Sequence, residues 1–200
     1  MIHASLRHTA VACWLLCLTG CSVLPERPRP MTLLTLEVPA TAAPAPQSGL
    51  VLAIEPVEAV AFLQGTDFFY RRGGPTVHRY ARHRWLAPPA ELIDRALMER
   101  LDRLPFTGVR PGQGVTPALG LTLTLLRLEQ VFAAGSSVVH LELLAQLVDR
   151  RQGRVLGTRL FRYRQPAPEA SPRGGARAAA TALGRFFTDL GDWLKAAKPF

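Results

Sequence analysis

The sequence predicts an α+β fold, with a mostly antiparallel or mixed sheet of five or more strands packed by two amphipathic helices. Three observations carry this expectation. Three strand-like segments between Leu119 and Tyr163 follow one another through short, glycine-bearing links, as hairpin connections require. Two other segments, one after Pro88 and one before Lys195, place their apolar residues at helical spacing. No repeat at a solenoid or propeller period is visible.

Taken in order, Thr32 to Val38 reads as a first strand and the Pro-Ala segment from Pro39 to Ser48 as a loop. Leu50 to Pro56 is nearly all apolar and predicts a second, well-buried strand. Asp67 to Arg72 and Thr76 to Trp85 are aromatic and β-prone around Gly73-Gly74-Pro75, which predicts a hairpin with Tyr70 and Tyr80 on its arms. Pro88 and Pro89 start a helix, where a missing amide costs little. Its stripe is Leu92, Ile93, Ala96, Leu97, Leu101 and Leu104, running up to Pro105. Strands follow over Leu119 to Phe132, Val138 to Asp149 and Val155 to Tyr163. In the first of them Leu121, Leu123 and Leu125 alternate with Thr122 and Thr124, the period of a half-buried strand. A polar break with Pro166, Pro168, Pro172 and Gly174-Gly175 then precedes a last helix from Ala176 to Ala197. Its apolar face would be Ala179, Leu183, Phe186, Leu190 and Trp193 or Leu194.

Ahead of this domain stands an export signal. A short head with Arg7 leads into an apolar stretch from Thr9 to Leu18, which matches a signal core of about 7 to 15 residues. A membrane span needs about 20. The stretch ends in Leu18-Thr19-Gly20-Cys21, the small-residue step before cysteine that lipoprotein processing reads. Residues 1–20 are therefore expected to be a lipoprotein signal peptide cleaved between Gly20 and Cys21, with Cys21 acylated. Residues 21–31 form a lipidated flexible tether, and residues 32–200 a single periplasmic domain. Two or more acyl chains anchor stably where one binds only marginally. Ser22 after the cysteine resembles the outer-membrane sorting pattern of Gram-negative lipoproteins, which places the protein on the inner leaflet of the outer membrane. The proline-rich run Ser22 to Pro30 spans only about 30 Å even when extended. Any role across the envelope thus needs a partner that reaches in.

The same reading restricts chemistry. Cys13 and Cys17 leave with the signal and Cys21 carries lipid, so the mature domain has no thiol for a disulfide, a nucleophile or a metal. A formal charge of +9 and a pI near 10.7 would suit nucleic acid, but export removes that partner. A GC-rich coding bias and attraction to anionic headgroups remain as causes of the basicity, which is almost entirely arginine. His78 and His83 are five apart on a strand and face opposite sides. His140 has Glu142 two residues on but no third ligand nearby. Ser136 and Ser137 lack a nucleophile elbow and read as turn residues. Gly112-Gln113-Gly114 lacks the rest of a phosphate loop. Asp67 and Glu55 form no recognisable carboxylate pair. No catalytic residue and no metal site is expected, and no cofactor beyond the covalent lipid on Cys21.

The most unusual interior segment is Phe68 to Trp85, where aromatics interleave with Arg71, Arg72, Arg79, Arg82 and Arg84. Arginine, tyrosine and tryptophan are enriched at protein interfaces. Tyr70, Arg71, Tyr80, Arg82 and Trp85 are therefore the candidate interface residues, beside two other readings, a lipid-facing surface and a plain hairpin with core aromatics. Here the chain resembles the ABC-type transport auxiliary lipoproteins, the PqiC-like group. Tyr70-Arg71, Tyr80, Trp85 and Pro88-Pro89 running into Glu91-Leu92-Ile93 and Leu97 carry the likeness. Leu121 to Glu129, Val139 to Asp149, Arg159-Leu160-Phe161 and the last helix through Ala182 and Trp193 extend it. Met31-Thr32-Leu33 departs from it, because members often show an aromatic soon after the anchor.

The resemblance implies a non-enzymatic, outer-membrane-anchored component of an ABC/MCE-type phospholipid transport system. Its partner would be an MCE-domain protein reaching from the inner membrane, and a homo-oligomer is compatible with that role. The alternative is a structural or assembly lipoprotein of the outer membrane with a β-barrel or peptidoglycan partner. If the lipid alone holds the protein to its membrane, Cys21→Ala shifts it from the membrane to the soluble periplasmic fraction with its fold intact. Fractionation and immunoblotting read this directly, and retention of the variant in the membrane would contradict it.

Overall fold

The computed structural model describes residues 30–39, 49–112 and 114–197. Gly20, Cys21, most of the tether and the Pro-Ala segment after Pro39 lie outside the described residues. The described residues from Met31 onward cluster as one unit. The strands are β1 (Thr32–Leu34), β2 (Val51–Ile54), β3 (Glu58–Ala59), β4 (Asp67–Arg71), β5 (His78–Trp85), β6 (Thr107–Val109), β7 (Leu119–Ala133), β8 (Ser136–Asp149) and β9 (Arg154–Pro166). The helices are α1 (Pro89–Met98) and α2 (Pro172–Ala196), and short 3-10 turns occupy Ala61–Leu63 and Leu101–Arg103.

All nine strands join one sheet, and β7 is its spine. Along one edge β7 pairs antiparallel with β8 from Leu119↔Asp149 to Ala133↔Ser136, and β8 pairs the same way with β9. The β7–β8 link is the two-residue turn Ala134-Gly135, both at positive φ (45° and 79°), which matches the twist of the flanking strands. Along its other edge β7 takes β2, β3 and β4 in succession, all parallel. The pairs β1–β5 and β2–β6 are parallel as well, while β4–β5 is antiparallel. The sheet is therefore mixed, and the expectation of a mostly antiparallel sheet is corrected. Local hairpins are visible in sequence because their turns are. The alignment of three short strands beside a strand sixty residues away depends on packing alone.

Other boundaries shift for physical reasons. The first strand stops at Leu34, although Leu36 and Val38 stay buried and continue the inward alternation. Helix α1 ends at Met98, and the rest of its predicted stripe lies beyond it, Leu101 in the 3-10 turn and Leu104 just after that turn. Helix α2 begins earlier than expected, at Pro172, because Ser171 caps it by accepting a hydrogen bond from the Gly174 amide at 3.0 Å. Its apolar face is as predicted through Leu190, with Leu194 fully buried and Trp193 at the margin.

One face of the sheet meets the helices. Leu119, Leu121, Leu123 and Leu125 of β7 and Val139, Leu141, Leu143, Ala145 and Leu147 of β8 pack there with Leu183, Phe186 and Leu190 of α2. Each fully buried large apolar side chain of this set stabilises the fold by about 1.5–3 kcal/mol. Within that apolar layer Gln130 is fully buried. Its Oε1 accepts from the Tyr80 hydroxyl at 2.8 Å, and its Nε2 donates to Ser137 Oγ at 2.8 Å and to the Ser171 carbonyl at 3.1 Å. One amide thereby joins β5, β7, β8 and the N-terminus of α2. Gly175 lies so close that a Cβ there would collide with the Gln130 amide and with Phe68.

Gln130→Ala is expected to orphan the Tyr80 and Ser137 hydroxyls at about 1–3 kcal/mol for each. Gly175→Ala costs about 1–3 kcal/mol by overpacking. Combined, they cost less than the sum, because the first substitution vacates the space the second needs. Urea unfolding midpoints of the four proteins test this, and additive losses would mean that the two sites do not touch.

Candidate interaction surface

The Phe68–Trp85 segment forms the β4–β5 hairpin, and the strand pleat divides its side chains between two faces. Toward the helices, Tyr70 stacks on Tyr80 (ring centres 4.5 Å apart) and on His78 (5.3 Å), with the Arg72 guanidinium 5.6 Å above it. Burial and the neighbouring Tyr70 push the Tyr80 hydroxyl well above its ordinary pKa, so it remains a hydrogen-bond donor to Gln130. Trp85 is 1% exposed and packs on Phe68 at 4.6 Å. Its placement among the interface residues is therefore corrected: the ring is core, held by backbone pairing to Leu34 of β1 and to Thr66 just ahead of β4. Of the other candidates, Tyr70, Arg71 and Tyr80 are half-buried and Arg82 is exposed.

On the opposite face, which the helices leave uncovered, charged residues form a ladder across four strands. Arg71 Nε of β4 donates to Glu129 Oε2 of β7 at 2.7 Å, and Arg127 Nε donates to Glu129 Oε1 at 2.7 Å. Arg127 also reaches Glu142 of β8 at 3.4 Å, and Arg162 of β9 approaches Glu142 at 3.8 Å. Arg164 Nε donates to His140 Nε2 at 3.1 Å. Burial first, and then Arg127 and Arg164, lower the His140 pKa, which suits its role as a neutral acceptor. Burial alone would raise the Glu129 pKa. The hydrogen bonds and charges of Arg71 and Arg127 outweigh it and hold this carboxyl below the ordinary range.

Beside the ladder opens a cleft of about 660 Å³ whose walls include Phe62, Phe69, Val77 and Leu126 and whose polar groups include Arg71, Arg79, Arg127 and Glu129. Phe62 comes from the Ala61–Leu63 turn and meets Phe69 edge-on at 6.0 Å. Leu126 reaches the cleft because the β7–β8 register shifts between Leu125 and Arg127. Sequence reasoning missed Phe62, Phe69, Leu126 and Glu129 as site residues. The signal was present at one place, where the adjacent pair Leu125-Leu126 breaks the period-two alternation.

The remaining candidates stay apart. His78, His83 and His140 belong to β5 and β8, and among the described residues no three His, Cys, Asp or Glu side chains could hold a metal ion. Asp67 lies between Arg79 (3.5 Å) and Arg84 (3.8 Å), whereas Glu55 approaches Arg150 at 3.7 Å. Ser136 bonds the Ala133 carbonyl, but Ser137 is 3% exposed and serves Gln130 from the start of β8 rather than a turn.

The fold is a mixed sheet covered by helices on one face and open on the other. The chain belongs to the family described as the ABC-type transport auxiliary lipoprotein component, whose model matches residues 32–191. A crystallised Xanthomonas campestris protein of family DUF330 superposes with a TM-score of 0.73 at 20% identity, over 83% of this chain and 95% of that one. A second crystallised, uncharacterized protein gives 0.64 at 14% identity, over 83% of this chain and 99% of that one. Both likenesses concern the fold. No curated protein matches the chain by sequence.

The depressed Glu129 pKa has a definite sign. Its folded value lies below the unfolded value near about 4.3, so the stabilisation is fully present above that pH and is lost as pH falls through the folded value. Wild-type protein should lose more stability between pH 5 and pH 3 than Glu129→Gln does. At pH 7 the variant should be less stable by about 1–3 kcal/mol. Urea titrations across that range measure both, and parallel pH profiles would refute the assignment.

Proposed function

We propose that the protein is the outer-membrane-anchored, non-enzymatic docking lipoprotein of an ABC/MCE-type system for intermembrane phospholipid traffic. The observation that carries this reading is the family match, which extends over residues 32–191 and so takes in nearly every element of the fold. The sequence around Cys21 supports the anchor, since a small-residue step before cysteine and a following Ser22 suit lipidation and outer-membrane sorting. The short tether supports docking, because a domain held within about 30 Å of its membrane receives a partner rather than travelling to one.

The partner is an MCE-domain protein extending from the inner-membrane complex. Exposed Arg82 and the half-buried Tyr70 and Arg71 offer it charge and aromatic surface. The chemistry of transport then belongs to the ATP-driven complex, and this chain contributes position.

In-cell crosslinking followed by denaturing purification is expected to recover an MCE-domain protein. Arg82→Glu, at an exposed position, should lower that yield about tenfold, as about 1.4 kcal/mol of lost affinity would, without moving the thermal midpoint. Recovery of only a β-barrel or cell-wall proteins would overturn the docking role.

A further inference from the structure

Two irregularities in the sheet border the open cleft, one in β7 at Leu126 and one in the β4–β5 pairing between Asp67 and Phe69. Bulges re-aim side chains. Here Leu125 stays in the core while Leu126 joins Phe62, Phe69 and Val77 on the uncovered face. Phe62 is 62% exposed and Val77 is 43% exposed. Each forgoes part of the roughly 1.5–3 kcal/mol that burying a large apolar side chain yields. A cleft of about 660 Å³ falls within the range of about 300–1,000 Å³ typical of small-ligand sites.

The charges around it do not balance. Among the described residues, the ion pairs here give Arg71, Arg79, Arg84, Arg127 and Arg162 three carboxylates between them, Asp67, Glu129 and Glu142. Arg79 is the most available, with its side chain 69% exposed and Asp67 no nearer than 3.5 Å. The floor of the cleft offers little to a polypeptide. Backbone groups of β4 and β7 are already paired with each other at Phe69↔Glu129, Tyr70↔Gln130 and Arg71↔Val131. A peptide lying there would bury amides without partners, at about 1–3 kcal/mol each. An aliphatic chain carries no such groups.

We propose that this cleft binds an aliphatic chain ending in an anionic head, the chain lying against Phe62, Phe69, Val77 and Leu126 and the head meeting Arg79. The inference rests on the proposed role in lipid traffic for its source of such molecules, and it gives that role a ligand. A lipid phosphate and a fatty-acid carboxylate share this chemistry.

The test places the photoreactive residue p-benzoylphenylalanine at Phe62 of the full chain, in cells grown with radioactive phosphate, and reads the adduct by mass after irradiation. Position Val155, 51% exposed and not among the cleft-lining residues, serves as control. A low-mass amphiphile adduct is expected at Phe62 and not at Val155. Adding Arg79→Glu, also at an exposed position, should cut its yield about tenfold, equivalent to about 1.4 kcal/mol. Radioactive adduct identifies a phosphate head, and an unlabelled acid identifies a fatty acid; either supports the site. A polypeptide adduct at Phe62, equal lipid adducts at both positions, no adduct, or indifference to Arg79→Glu would overturn it. Capture of an MCE-domain protein is read separately, so loss of the ligand site and loss of the docking role give different results.

Discussion

The buried amide of Gln130 is the interaction on which the arrangement of this domain depends. A polar side chain in an apolar layer is tolerated only when its groups are satisfied, and Gln130 meets this with Tyr80, Ser137 and the carbonyl of Ser171. Those partners belong to the hairpin, the long antiparallel strand and the cap of the last helix. The amide therefore sets the depth at which α2 enters the sheet, and Gly175 is the residue that lets it approach so closely. Apolar packing alone would hold these elements together, but without direction.

With the helices committed to one face, the other is left to solvent along β4, β7, β8 and β9. It is stabilised by sharing carboxylates among arginines rather than by burial. Exposed ion pairs contribute little singly. Glu129 differs, because its side chain is only 6% exposed and accepts from two guanidinium groups. It ties β4 to β7 across their short parallel pairing, Phe69↔Glu129 to Arg71↔Val131. The same registration leaves Phe62 exposed and Leu126 half-buried on this face, so the cleft follows from how the sheet pairs and bends at its bulges.

Much of this was legible in the residues and some was not, for identifiable reasons. The helix after Pro88, the β7–β8–β9 meander and the hairpin arms follow from periodicity and turn chemistry, which are local. The aromatic-arginine segment was recognised as unusual, yet its members have different fates. Trp85 is interior, Tyr70 and Tyr80 form a half-buried stacked pair, and Arg71 and Arg82 retain access to solvent to different degrees. Composition identifies residues able to form an interface. Only the pleat and the long-range pairing decide which of them face outward.

By itself, the sequence determined the α+β class, the two amphipathic helices, the long meander, the scarcity of thiol chemistry and the likeness to the transport auxiliary lipoproteins. Each of these follows from local spacing, local turns or residue inventory. The tertiary structure decided that β2, β3 and β4 run parallel to β7, and that Phe62, Phe69, Leu126 and Glu129 meet in one cleft. These depend on strand pairing between residues such as Leu52 and Leu119 or Phe69 and Glu129, far apart in the chain. Their geometry is set by the shared core and the long-range strand pairing, of which the Leu125-Leu126 break in alternation is the one local trace.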